Sequence, residues 1–200
     1  SVNIKTEAFR SMYLQYGEEF AQKVVDHHTA NGGVSRFEKF KIYNGEWLGQ
    51  EVTEQKSKEL AQIFSDLVVD GVINSPEVTG AGEFLNTAEK YHKYIITGTP
   101  TVEIEPILKG RNMLHFFEGV YGSPEKKDYW VKKIMEEKKA LPEECVFVGD
   151  AIADYKAAIS NNVTFIFRET EEAMHLFEDF KGLRIKDLQN LHQVINSINS

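Results

Sequence analysis

Val146-Phe-Val-Gly149-Asp150-Ala-Ile-Ala-Asp154-Tyr-Lys156 is the stretch from which the fold can be read. Cys145 to Val148 is an apolar run of the length expected for a buried strand of a parallel sheet. Gly149 breaks the run, Asp150 follows, and a second carboxylate, Asp154, comes four positions later. A helical pattern then starts with Tyr155, Ala158 and Ile159. Acids at the carboxyl end of a buried strand lie where open α/β sheets bind ligands. Four positions apart across a strand–helix turn, the pair could hold a hard cation such as Mg²⁺, which takes oxygen ligands. Helix capping by Asp150 is the competing reading, and it leaves Gly149 and the second acid without a reason.

Outward from this stretch the alternation of strand and helix continues. Tyr94-Ile-Ile-Thr97 reads as a short strand ended by Gly98-Thr99-Pro100. Thr164 to Phe167 reads as another, and Phe116 to Gly122 as a weak strand or loop. Helical patterns cover 83–90, 128–139, 154–160 and 188–198, with a short helix or turn at 103–108. Such alternation predicts an α/β fold with a Rossmann-like parallel sheet and crossover helices.

Residues 4–70 differ, because they carry almost no strand signal. Ala8, Met12 and the run from Phe20 to Val25 are apolar at helical spacing, and Asn31-Gly32-Gly33 interrupts them. Phe37, Phe40 and Tyr43 resume the pattern, and Asn44-Gly45 is expected to stop it. Thr53 is placed to cap a further helix whose apolar face is read as Leu60, Ile63, Phe64 and Leu67. A boundary is therefore expected near residues 73–79, with a helical domain over 1–75 and an α/β core over 76–200.

Composition narrows the function classes. A net charge of −8 on 200 residues, with no basic stripe beyond the mixed-charge stretch 126–139, argues against nucleic acid as a partner. No run approaches the roughly 18 apolar residues of a membrane span, and the start carries no signal-peptide pattern. The single cysteine, Cys145, falls in the expected buried strand and reads as a small hydrophobe. One thiol makes no internal disulfide, so a reducing, cytoplasmic setting is expected. Asp26-His27-His28 is a weak metal candidate, since adjacent histidines point to different helix faces. Asp66 and Asp70 read as solvated acids.

Two further positions at strand ends bear on chemistry. The hydroxyl of Thr97, with the N–H groups of Gly98 and Thr99, could hold a phosphate oxygen; the alternative is an ordinary turn. Lys127 heads the helix that follows Gly122-Ser-Pro-Glu-Lys. The positive end of the helix dipole disfavours lysine there, so it is either a solvated charge or the partner of an anion.

Taken in order, these sites resemble the core of the haloacid dehalogenase-like hydrolases. Tyr-Ile-Ile-Thr97 is similar to that family's second motif, Lys127 to its third-motif lysine, and Gly149-Asp150-x-x-x-Asp154 to its fourth. Residues 4–75 resemble the all-helical cap of subgroup I. Within it, Gly33-Val-Ser35-Arg36-Phe-Glu-Lys-Phe40 is similar to the substrate-selecting loop of the β-phosphoglucomutase branch. The resemblance implies Mg²⁺-dependent phosphoryl transfer through an aspartyl-phosphate. Thr97, Lys127 and Asp154 would be catalytic, Asp150 and Asp154 metal-binding, and Gly98, Ser35 and Arg36 substrate-binding. The substrate would be a small phosphorylated metabolite, and phosphomutase activity is a near variant.

One departure matters. The family's first motif, Asp-x-Asp-Gly-x-x-x-Asp-Ser, occurs nowhere in the chain, and Ser1-Val-Asn-Ile-Lys5 resembles the residues directly after it. The motif's strand normally lies between those of Thr97 and Val146, so two apolar strand edges are expected to be uncovered, which favours association with a second copy. A truncated polypeptide is the favoured explanation. A protein whose first strand comes from elsewhere, and a non-catalytic phosphate- or partner-binding module, are the alternatives. As given, the chain is expected to be inactive.

Overall fold

The computed structural model describes residues 2–198. Its first third is helical: α1 (Val2–Tyr13), α2 (Glu18–Ala30), α3 (Arg36–Phe40), a π-helical turn (Lys41–Trp47) and α4 (Glu54–Ile73). Residues spaced three, four or eight apart on these helices meet in one aromatic-rich core. Phe9, Tyr13, Val24, Phe40, Tyr43, Leu60, Phe64 and Val68 are all buried there. Thr53 caps α4 through a hydrogen bond its hydroxyl accepts from the Lys56 N–H at 3.1 Å. The inward face of α4 is Leu60, Phe64 and Val68, whereas Ile63 and Leu67, expected on that face, are exposed. Asn44-Gly45, expected to end a helix, lies inside the π turn. Asn44 is buried, accepts a hydrogen bond from the Tyr13 hydroxyl and donates to Gln50 Oε1, so tertiary contacts hold helical backbone through residues that usually break it.

After α5 (Ala81–Thr87), strand and helix alternate: β1 (Tyr94–Pro100), α6 (Thr101–Gly110), β2 (Gly119–Ser123), α7 (Lys127–Lys138), β3 (Val146–Gly149), α8 (Ile152–Ser160), β4 (Thr164–Arg168), β5 (Leu183–Ile185) and α9 (Leu191–Ile198). All strand pairs are parallel, in two separate sheets, β1–β2 and β3–β4–β5. Ile95 is opposite Val120, Val148 opposite Ile166, and Phe167 opposite Arg184. Among the described residues no ladder joins β1 to β3, so each keeps one unpaired edge. Burial follows from this: Phe165, Ile166 and Phe167 of the central strand β4 are buried, whereas Ile95, Ile96, Val146, Phe147 and Val148 are only half-buried.

The helical region and the α/β region are tied in two places. Arg111, just past α6, donates to the carbonyls of Val72, Ile73 and Ser75 at 2.8–2.9 Å and so satisfies the end of α4. Arg36 on α3 makes a two-pronged ion pair with Glu103 on α6, at 2.8 and 2.7 Å, and the pair is almost fully buried.

Candidate active site

The carboxyl ends of β1 and β3, the start of α7 and the loop between α2 and α3 converge. At the end of β3, Asp154 folds back over its own helix start. Its Oδ2 accepts the N–H groups of Asp150 and Ala151 at 3.2 and 3.1 Å, and its Oδ1 takes the Lys127 ammonium at 2.5 Å. Asp154 is 5% exposed. It is therefore Asp154 that satisfies the first turn of α8, and Asp150 does not act as the cap. Gly149 acquires its reason at the same time. A Cβ there would lie 2.4 Å from the Asp154 Cβ, so only glycine lets the carboxylate close over the turn.

Asp150 is left with its carboxylate half open, and Arg168, 3.7 Å away, is its ion-pair partner. Burial and the neighbouring Asp154 charge raise its pKa, against the pull of Arg168 and Lys127. The donor set for a divalent cation is thus one committed and one open carboxylate. Among the described residues no group of three or more His, Cys, Asp or Glu could hold a metal. A hard cation such as Mg²⁺ fits Asp150, since that ion commonly takes one or two carboxylates and completes its shell with water and phosphate oxygens.

Thr97 stands near the end of β1. Its hydroxyl accepts the Thr99 N–H at 3.2 Å, a local turn that draws the strand out of regular register between Ile96 and Pro100. The α2–α3 loop closes over this end. A Cβ on Gly98 would fall 2.6 Å from the Gly33 carbonyl oxygen, and one on Gly33 would lie 3.0 Å from the Lys127 Nζ. Ser35 caps α3 by accepting the Phe37 N–H, and Arg36, with both guanidinium prongs on Glu103 and a further bond to Ser65 at 2.8 Å, is already fully engaged. Thr97, Gly98, Lys127, Asp150 and Asp154 are brought together. Ser35 and Arg36 border the same loop with their polar atoms turned to α3, α4 and α6.

Two residues at this junction, Lys5 and Lys39, were not anticipated. Lys5 of α1 donates to the Thr99 hydroxyl at 3.1 Å. Lys39 of α3 is 1% exposed and bonds the Nδ1 of His28 at 2.8 Å. His27 turns the other way, to the Tyr43 hydroxyl at 3.0 Å. Cys145 is half-buried against the core below β3, and burial raises its thiol pKa.

A family model described as haloacid dehalogenase-like hydrolase matches residues 2–162. This chain belongs to that family. Haloacid dehalogenase-like folds recur among solved structures as well. A predicted phosphoglycolate phosphatase from Haemophilus somnus superposes with a TM-score of 0.71 at 18% identity, over 97% of this chain and 91% of that one. β-Phosphoglucomutase from Clostridium difficile gives 0.74 at 14% identity, over 99% and 91%. A haloacid dehalogenase-like protein from Streptococcus pneumoniae gives 0.67 at 19% identity, over 97% and 92%. No curated protein matches significantly. At these identities the superpositions speak to the haloacid dehalogenase-like fold, a parallel α/β core with a helical cap.

Proposed function

We propose that residues 2–198 supply the cap and the phosphate-handling side of a Mg²⁺-dependent phosphatase that acts on a small phosphorylated metabolite. The observation that carries this reading is the Lys127–Asp154 pair beside the open carboxylate of Asp150. Lys127 would neutralise phosphoryl oxygens, and Asp154 would hold its ammonium in position through the 2.5 Å contact. Thr97 and the N–H of Gly98 would bind further oxygens once a ligand competes with the local turn. Asp150 would hold the Mg²⁺, which when bound screens charge between phosphate and carboxylate. The fit of Gly33 against Gly98 and Lys127 implies that the loop must move for a phosphate to enter. No helix among the described residues is long and apolar enough to cross a membrane, and the single thiol suits a reducing cytoplasm.

Phosphoryl transfer through an aspartyl-phosphate needs an attacking aspartate. Asp150 is reserved for the cation and Asp154 for Lys127 and the helix start, and no Asp-x-Asp-Gly occurs in the sequence. The 200-residue polypeptide should therefore bind phosphate without turning over p-nitrophenyl phosphate. Turnover in the presence of Mg²⁺ that disappears in Asp150→Ala would contradict this. Absence of both turnover and phosphate binding would leave the phosphatase reading without support.

A further inference from the structure

Where the cap returns to the core there is a cavity of about 290 Å³. α5 lines it with Leu85 and Asn86, and the turn after α6 lines it with Arg111, Met113 and Phe116. Glu77, in the link between α4 and α5, lines it too. Junctions between domains are common places for small-molecule sites, which combine apolar walls with a few polar groups. None of these residues belongs to the phosphate-handling group.

Arg111 is only half committed. Its Nη1 makes the bonds to the carbonyls of Val72, Ile73 and Ser75 at the end of α4. Its Nη2 and Nε have no partner among the described residues, and no described carboxylate stands at ion-pair distance. That leaves one edge of the planar fork, the edge that takes a carboxylate through two parallel N–H bonds. Glu77 is exposed and likewise has no ion-pair or hydrogen-bond partner among the described residues. Its Oε2 lies over the first turn of α5, 3.4 Å from where a Cβ on Gly82 would stand. Asn86 donates its Nδ2 to the Gly82 carbonyl at 2.8 Å, which leaves its Oδ1 as an acceptor.

Two opposite charges thus line one cavity without pairing with each other or with any other described group. Leu85, Met113 and Phe116 give the same cavity its apolar surface. The complement is a small dipolar molecule with an apolar body. We propose that this cavity binds a free α-amino acid with an apolar side chain, its carboxylate on Nη2 and Nε of Arg111 and its ammonium on Glu77. The bound acid would share Arg111 with the last carbonyls of α4, and so sit on the joint of cap and core. The site stands whether or not the protein handles phosphate.

The test is calorimetric titration of the 200-residue chain with L-leucine, L-methionine and L-phenylalanine. Each is compared with its amide, which lacks the carboxylate, and with the corresponding acid that lacks the amino group. At least one amino acid should bind saturably, about tenfold or more tighter than either of its analogues. Glu77→Gln should reduce that amino acid to the affinity of its deaminated acid, whose own affinity should not change. Arg111→Lys should weaken both. Lys127→Met should alter neither. Saturable binding by none of the three amino acids overturns the site, as does equal affinity for an amino acid and its deaminated acid. An affinity that survives Glu77→Gln or Arg111→Lys overturns it too. So does binding lost in Lys127→Met, which would put the amino acid at the phosphate-handling residues. If Arg111→Lys does not fold, Glu77→Gln decides alone, since Glu77 is exposed and holds no described contact of the fold.

Discussion

Arg36 and Glu103 face each other across the junction of cap and core, joined by two hydrogen bonds of 2.8 and 2.7 Å and almost out of reach of solvent. Glu103 also accepts from Ser65, so α3, α4 and α6 meet on one carboxylate. Removing one partner of such a pair leaves an uncompensated buried charge. Glu103→Gln should cost roughly 3–5 kcal/mol in urea unfolding. The double change Arg36→Met with Glu103→Leu should cost clearly less, because no charge is stranded. Equal losses in the two would refute the account of this clamp.

Gly149→Ala tests whether the turn before Asp150 is shaped by the Asp154 carboxylate. The added methyl would meet the Asp154 Cβ at 2.4 Å, a clash that side-chain rotation does not relieve, so the start of α8 must shift and carry the carboxylate off the Asp150 and Ala151 N–H groups and Lys127. A stability loss of about 1–3 kcal/mol is expected, together with weaker phosphate binding. A variant as stable as wild type, with unchanged phosphate affinity, would show that Gly149 has no such role.

His28 gives stability a sign with pH. Its folded pKa of about 3 lies below the ordinary imidazole value of 6.5, so the unfolded chain binds the extra proton between these limits. Its neutral burial costs nothing above pH 6.5, and stability is lost as pH falls from there toward 3. Urea titrations of wild type and His28→Gln across this range should converge toward low pH, the variant having the shallower slope. Parallel slopes would contradict the assignment.

Lys39 acts in the alkaline range with a dependence of the same sign. Its folded pKa of about 7 is below the 10.5 of an unfolded lysine, so the unfolded state holds more protons from pH 7 to 10.5, and stability should rise with pH there. The groups facing it are Lys5, Lys127 and His28, and with Asp150 and Glu103 acting on Lys5 they set the slope. Lys39→Met should be more stable than wild type at pH 7 by about 1–3 kcal/mol, with the gap closing toward pH 10. A variant less stable at pH 7 would contradict this sign.

How far the chain could be read from its residues depended on range. The strand–turn–helix at Val146–Tyr155, the strand ending near Thr97 and the capping of α4 by Thr53 rest on neighbours within a few positions, and their patterns are visible in the sequence. β5 spans three residues, too few for alternation to register. The Asn44-Gly45 stop failed because Tyr13, far away in sequence, holds Asn44 inside a helical turn. Asp154 as the residue that satisfies its own helix start, in place of Asp150, needed the fold-back over Gly149. Lys39 precedes Phe40 in a helical pattern where a lysine normally marks the wet face. Only its burial and its contact with His28 single it out. The Arg36–Glu103 pairing spans 67 positions and leaves no local signature.

Phosphate binding by the 200-residue chain tests the central claim most directly. Titration with inorganic phosphate, followed by calorimetry and by ³¹P line broadening, should give saturable binding. Lys127→Met, checked for folding by its melting transition, should weaken that binding by about tenfold or more. No saturable binding to the wild type, or equal affinity in Lys127→Met, would contradict a phosphate site built on Thr97, Gly98 and Lys127.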